Sequence, residues 1–275
     1  MNDRSLKTVC QSSSLLDSYL EEKAANHNCY KTYSNSDRIQ AWLDTGFFYL
    51  DDGSRWNDVH DRSTFNSEDA PVKRFGRCFS FSRSESVAMW MLYGGMRKKG
   101  AMLEFSKKQM RTLIESTDVV QLGNWEDNVF VPVITLRRGE FSLQLKDILY
   151  VGESDKGIYL RRSSESVEGA PYSPTADLRH SVKTISWSYE NECRLILTVT
   201  KDILPGKSVS SVRISLAPLL SAKETTPAVY RAPNYQGVST YRPSQLSGEI
   251  DWDLCWDCPR PPKDQSAAAE IPSTV

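Results

Sequence analysis

Apolar and polar residues alternate along this chain in two rhythms, one helical and one extended. Leu15, Leu16, Tyr19 and Leu20 recur at helical spacing behind Ser14, which predicts a helix over 14–25 capped by that serine. A strand is expected over 29–34, then a helix over 37–46 capped by Asp37 and closed by Gly46, then a strand over 47–50. Residues 51–72 are polar and turn-rich and predict a long loop carrying Trp56, Asn57 and Asp58, of the length that more often serves function. A strand follows over 77–82, with Cys78, Ser80 and Ser82 on one face and Phe79 and Phe81 on the other. Next come a helix over 84–94 capped by Ser84, a strand over 100–105 and a helix over 107–116. Further strands are expected in 129–136, 147–153 and 211–216, around an irregular stretch over 154–181. The strongest strand signal covers 189–200. The pattern predicts an α+β fold, with mixed or antiparallel sheets and flanking helices. It divides into an N-terminal helical extension (1–28), a single α+β domain (29–262) and a disordered polar tail (263–275).

Composition changes this picture little. A chain of 275 residues buries enough surface to need no covalent staples. Its net charge of −1 gives no global electrostatic reason to bind nucleic acid or an anionic membrane. No run approaches the roughly 20 apolar residues of a membrane-spanning helix, and the first residues lack the apolar core of a signal peptide, so a cytoplasmic protein without a membrane partner is expected. The six scattered cysteines read as mostly reduced thiols.

Candidate chemistry concentrates in Trp187–Arg194. If 189–200 is a strand, Glu190, Glu192 and Arg194 project from one face, while Cys193, Leu195, Leu197 and Val199 project toward a core. Two neighbouring carboxylates beside a guanidinium can hold different protonation states and so supply one acid and one base. The alternative is a solvated, ion-paired strand face. Met89, Trp90 and Tyr93 share a helix face and read first as core. Asn57-Asp58 with Asp61 suits a turn better than a metal site. Cys255 and Cys258 form a lone C-x-x-C without a second ligand pair, so no zinc or other metal is expected. Phosphate-loop, zinc-protease and nucleophile-elbow motifs are absent.

Five segments in order resemble a widespread bacterial family known only as a domain of unknown function. They are Tyr30-Lys31-Thr32-Tyr33, Trp56-Asn57-Asp58, Cys78-Phe79-Ser80, Met89-Trp90-Met91-Leu92-Tyr93 with Gly100, and Lys183 through Arg194. That family is in turn similar, more loosely, to ADP-ribosyltransferases, which carry a basic residue on a first strand, serines on a middle strand and Glu-x-Glu on a late one. The resemblance implies an ADP-ribosyltransferase-like fold and a transferase that uses NAD as substrate, in the setting of a bacterial toxin or antiphage-defence effector. Glu192 would stabilise the cationic ribosyl state, and Glu190 would orient or deprotonate the acceptor. Lys31, standing where Arg or His is usual, would touch the cofactor, Ser80 and Ser82 would shape the nicotinamide pocket, and Tyr33 or Tyr93 would stack on a ring. The acceptor, protein or nucleic acid, is left open, and an antitoxin or chaperone partner fits the toxin setting. The rival readings are a non-catalytic protein- or nucleotide-binding module of the same fold, and a metal-dependent nuclease built from Asp58, Glu190 and Glu192.

Overall fold

The computed structural model describes residues 5–56, 58–66, 68, 70–94, 99–170, 176–204, 206, 208–236 and 239–247. Asn57, the Cys255–Cys258 pair and the polar tail lie outside them. The chain opens with two helices, α1 (Leu6–Val9) and α2 (Ser13–Ala24), and enters strand β1 (Cys29–Asn35). It continues through α3 (Ser36–Thr45), β2 (Phe47–Asp51), α4 (Val59–Phe65), β3 (Val72–Ser80), α5 (Val87–Tyr93), β4 (Gly100–Ser106) and α6 (Lys107–Ser116). A run of strands follows: β5 (Val119–Glu126), β6 (Val129–Arg137), β7 (Ser142–Asp147), β8 (Leu149–Ser154), β9 (Gly157–Arg162) and β10 (Glu165–Glu168). The last part holds β11 (Val182–Thr184), a 3-10 turn over Ile185–Glu190, β12 (Glu192–Thr200), β13 (Ser211–Ser215), α7 (Ala217–Leu220), β14 (Ala228–Arg231) and the short β15 (Arg242–Pro243).

The α+β class expected from the pattern is the class observed. Nine strands of one large sheet run in the order β15-β14-β4-β1-β3-β2-β13-β5-β6, and β12 joins it by pairing with both β3 and β7. A smaller sheet runs β10-β9-β8-β11, with β11 parallel to β8. The large sheet's core is aromatic and aliphatic: Phe48, Phe75, Phe79 and Phe105 meet Leu195, Leu197 and Ile214, all of them buried. Among the described residues no helix is long and apolar enough to cross a membrane.

Helix boundaries follow local chemistry. Asn35, not Asp37, caps α3 by accepting from the Arg38 amide at 2.8 Å, and Gly46 closes it in the left-handed conformation at φ 69°. Ser12 rather than Ser14 caps α2, and Ser86 rather than Ser84 caps α5. Ser106 and Gln109 form a full capping box on α6, whose limits match the expected ones.

Two expectations fail for physical reasons. The long loop over 51–72 contains α4, whose apolar anchor is a single residue, Phe65. That ring lies over Gly76 of β3, where an added Cβ would come within 2.7 Å of it. The stretch over 154–181 holds two strands, β9 and β10, and α1 and α2 supply their cover. Leu6, Val9, Leu16, Tyr19 and Leu20 pack with Leu149, Leu160 and Leu178 into a second core.

Candidate active site: a buried charge centre

Glu190 and Glu192 do not share a strand face. The strand begins only at Glu192; Glu190 ends the 3-10 turn, and Asn191 between them is left-handed at φ 42°. Both carboxylates nevertheless converge on one cation. Lys183, from the end of the smaller sheet, donates from Nζ to Glu190 Oε2 at 2.6 Å and to Glu192 Oε2 at 2.8 Å. The other oxygen of Glu192 accepts from Arg194 Nε at 2.6 Å. Arg194 Nη2 in turn donates to Asp61 Oδ2 at 2.7 Å, and Lys183 lies 3.4 Å from that same oxygen.

This is no solvated ion-paired face, because every charged member is buried: Asp61, Lys183, Glu190, Glu192 and Arg194 are 5% exposed or less. Two tyrosines join them. Tyr93, at the end of α5, donates its hydroxyl to Glu190 Oε1 at 2.6 Å, and the Tyr150 hydroxyl accepts from the Glu192 amide at 2.9 Å. Aromatic rings line the cations, with Trp187 4.9 Å from the Lys183 ammonium and Trp56 4.7 Å from the Arg194 guanidinium.

The electrostatics of the two glutamates diverge. Burial, then the neighbouring Glu192 charge, pushes Glu190 up to about 7. Burial alone would raise Glu192 too, but the Arg194 and Lys183 charges overrule it and hold that carboxyl well below the usual range. Burial also raises the Tyr93 and Tyr150 phenols, and the adjacent glutamate charges reinforce it. Lys183 and Arg194 are held cationic, because their carboxylate partners outweigh the cost of burial. Three carboxylates therefore face two cations, and the odd carboxylate, Glu190, is the one able to carry a proton at neutral pH.

The remaining candidate positions divide. Ser80 ends β3, buried, and sits opposite both Lys31 and Glu192 in the ladder, so it belongs to the wall of the centre. Ser82 lies beyond the end of β3, not on it. Lys31 is 2% exposed, and its ammonium donates to the Ser82 and Arg83 carbonyls at 2.9 and 2.8 Å and pairs with Glu104 at 3.7 Å. It anchors a loop and does not reach the charge centre. Tyr33 packs edge-on against Trp90 at 4.9 Å in a small apolar cluster with Met89 and Met102. Of the aromatic candidates only Tyr93 touches a glutamate.

Sequence reasoning missed Lys183 and Asp61 as members of the centre. Lys183 stood seven residues before Glu190 within a quoted motif, and Asp61 read as part of a turn. The signal for both lay in unpaired formal charge: two glutamates and one arginine bound for the interior leave a deficit that another cation must fill. Among the described residues, no cluster of His, Cys, Asp and Glu has metal-binding geometry. Comparison with protein-family models, with curated proteins and with solved structures finds no match to this chain.

Proposed function

We propose that the protein is an NAD-consuming ADP-ribosyltransferase-like enzyme whose working carboxylate is Glu190. One observation carries this: a buried pair of carboxylates gathered on one ammonium, in a centre with one more carboxylate than cations. When Glu190 ionises, three carboxylates stand against two cations and the centre carries one net negative charge. Such a site favours a species whose positive charge develops during reaction, as it does on the ribose when a nicotinamide–ribose bond breaks.

The roles differ from those that the resemblance implies. Both Glu192 oxygens are occupied, one by Arg194 and one by Lys183, so Glu192 is a positioning residue. It fixes the Lys183 ammonium, which in turn holds Glu190. Glu190 keeps its second oxygen under the Tyr93 hydroxyl, and Tyr93 is only half-buried at the end of a helix. A ribose hydroxyl taking the place of that phenol would bond to Glu190 directly. In its protonated state Glu190 would donate, and in its ionised state accept, which suits a group that moves a proton from an incoming acceptor. In this reading Lys31, whose ammonium donates to the Ser82 and Arg83 carbonyls, anchors the 82–83 loop and is given no cofactor role.

A second reading rests on the pairing itself. Every cation in the centre has a carboxylate partner and no charged member is solvated, so the cluster also suits a rigid keystone in a non-catalytic binding module. Incubation with NAD labelled in the adenylate half, with and without a bacterial lysate, separates the two. The enzyme reading expects nicotinamide release and label transferred to an acceptor. The keystone reading expects neither.

A further inference from the structure

Asn191, which separates the two glutamates in sequence, also lines a cleft that none of the charged residues of the centre lines. The cleft has a volume of about 430 Å³, and His27, Asn28, Arg83, Ser84, Ser163 and Asn191 are among the residues that line it. His27 is the fixed element. Its Nε2 lies 2.6 Å from Oδ1 of Asp147, a fully buried carboxylate at the end of β7. Oδ2 of Asp147 accepts from Arg162 at 2.9 Å, and Arg162 also pairs with Glu165, so the aspartate is held from behind. The ring of His27 stacks on Phe81 at 3.7 Å with the planes 5° apart. The imidazole is therefore clamped on one edge and one face, and its orientation in the cleft wall is set.

The opposite wall is built with similar care. Residues 82–83 are tied down by the Lys31 ammonium through two carbonyls, and the Phe81 amide donates to the Asn191 carbonyl at 3.0 Å. This places Arg83 at the cleft without a carboxylate partner: among the described residues its side chain makes no ion pair, and it is exposed. Among the described residues no aspartate or glutamate lines the cleft. Its lining polar groups are one guanidinium, one imidazole backed by a buried carboxylate, three asparagine amides and three serine hydroxyls. Donors outnumber negative groups, a composition suited to a small dianion.

We propose that this cleft binds the phosphate group of a small phosphomonoester, with Arg83 and His27 as its principal contacts. Guanidinium and phosphate match as planar fork and tetrahedral oxyanion, and His27, whose Nε2–H donates to Asp147, offers Nδ1–H as a second donor in its cationic form. Asp147 is a positioning residue that fixes the orientation of the His27 ring. The proposal does not depend on NAD cleavage at Glu190.

The test is a titration of the full-length protein with inorganic phosphate and, separately, with adenosine 5′-monophosphate, followed by calorimetry and by the imidazole C–H resonances. Only three histidines exist, His27, His60 and His180, so His27→Gln assigns the relevant signal. The expected result is saturable binding that moves the His27 resonance alone, with Arg83→Ala weakening affinity about ten-fold or more. Arg111→Ala, on an exposed helix face, serves as the control and leaves affinity unchanged. Tighter binding of the nucleotide than of phosphate would assign the ligand as a nucleotide, and equal binding would assign the phosphate group alone. Absence of saturation with both probes, or unchanged affinity in Arg83→Ala with the fold intact by circular dichroism, would overturn the proposal.

Discussion

Replacing Glu190 by Gln gives the charge centre a neutral side chain of the same size that cannot ionise. In the folded protein Glu190 holds its proton up to about pH 7, against an ordinary value of 4.5. The folded state therefore binds more protons than the unfolded chain between those limits, and stability falls as pH rises through that window. With each pH unit worth ~1.4 kcal/mol, the full loss above pH 7 is about 3 kcal/mol. Glu192 titrates in the opposite sense: its depressed value makes its contribution constant above 4.5, so it does not blur the measurement. Relative to wild type, Glu190→Gln should gain about 3 kcal/mol in going from pH 5 to pH 8, or roughly 1 M in urea midpoint. Equilibrium urea unfolding of both proteins at pH 5, 6, 7 and 8 reads this directly. Parallel stability curves for the two proteins would refute the assignment of Glu190 as the odd carboxylate.

Three further outcomes follow from the packing. Arg194→Met leaves Glu192 and Asp61 with one fewer buried partner each and should cost about 3–5 kcal/mol in urea unfolding at pH 7. Gly76→Ala drives a methyl group into the Phe65 ring, which also carries Trp56 at 4.5 Å, and should lower stability by about 1–3 kcal/mol with a change in tryptophan fluorescence. Asn35→Ala removes the cap of α3 and should cost about 1 kcal/mol, whereas Asn35→Asp should retain most of the stability.

Long elements with strong periodicity were readable from sequence, and partnership was not. The α6 helix and β1, β4 and β6 lie where their patterns put them, because capping and alternation are local properties. The N-terminal part of β3, residues 72–76, was missed: its Lys73 and Arg74 break the apolar alternation. In the fold Lys73 donates to the Val209 carbonyl, and Arg77 lies over Trp42 while bonding to Thr32, so charged side chains are accommodated on a buried strand. The Glu-x-Glu segment was recognisable as chemically loaded, yet its geometry was misread. Strand alternation was extended three residues too far, over 189–191 and across the left-handed Asn191, and the cation that gathers both glutamates came from a strand of the other sheet. The His27–Asp147 contact spans 120 residues and has no local signature.

Nicotinamide release from NAD, measured side by side for wild type, Glu190→Gln and Glu192→Gln, tests the central claim most directly. The account predicts turnover by wild type and a fall of about two to three decades in Glu190→Gln, the scale of losing one electrostatic contact to a developing charge. That fall should come while the variant's urea stability at pH 8 is equal to or above that of wild type. Glu192→Gln should lose both activity and stability, because it releases Lys183 and Arg194 together. Equal turnover in wild type and Glu190→Gln, or no nicotinamide release by wild type with lysate acceptors supplied, would contradict the account and leave the centre as a structural keystone.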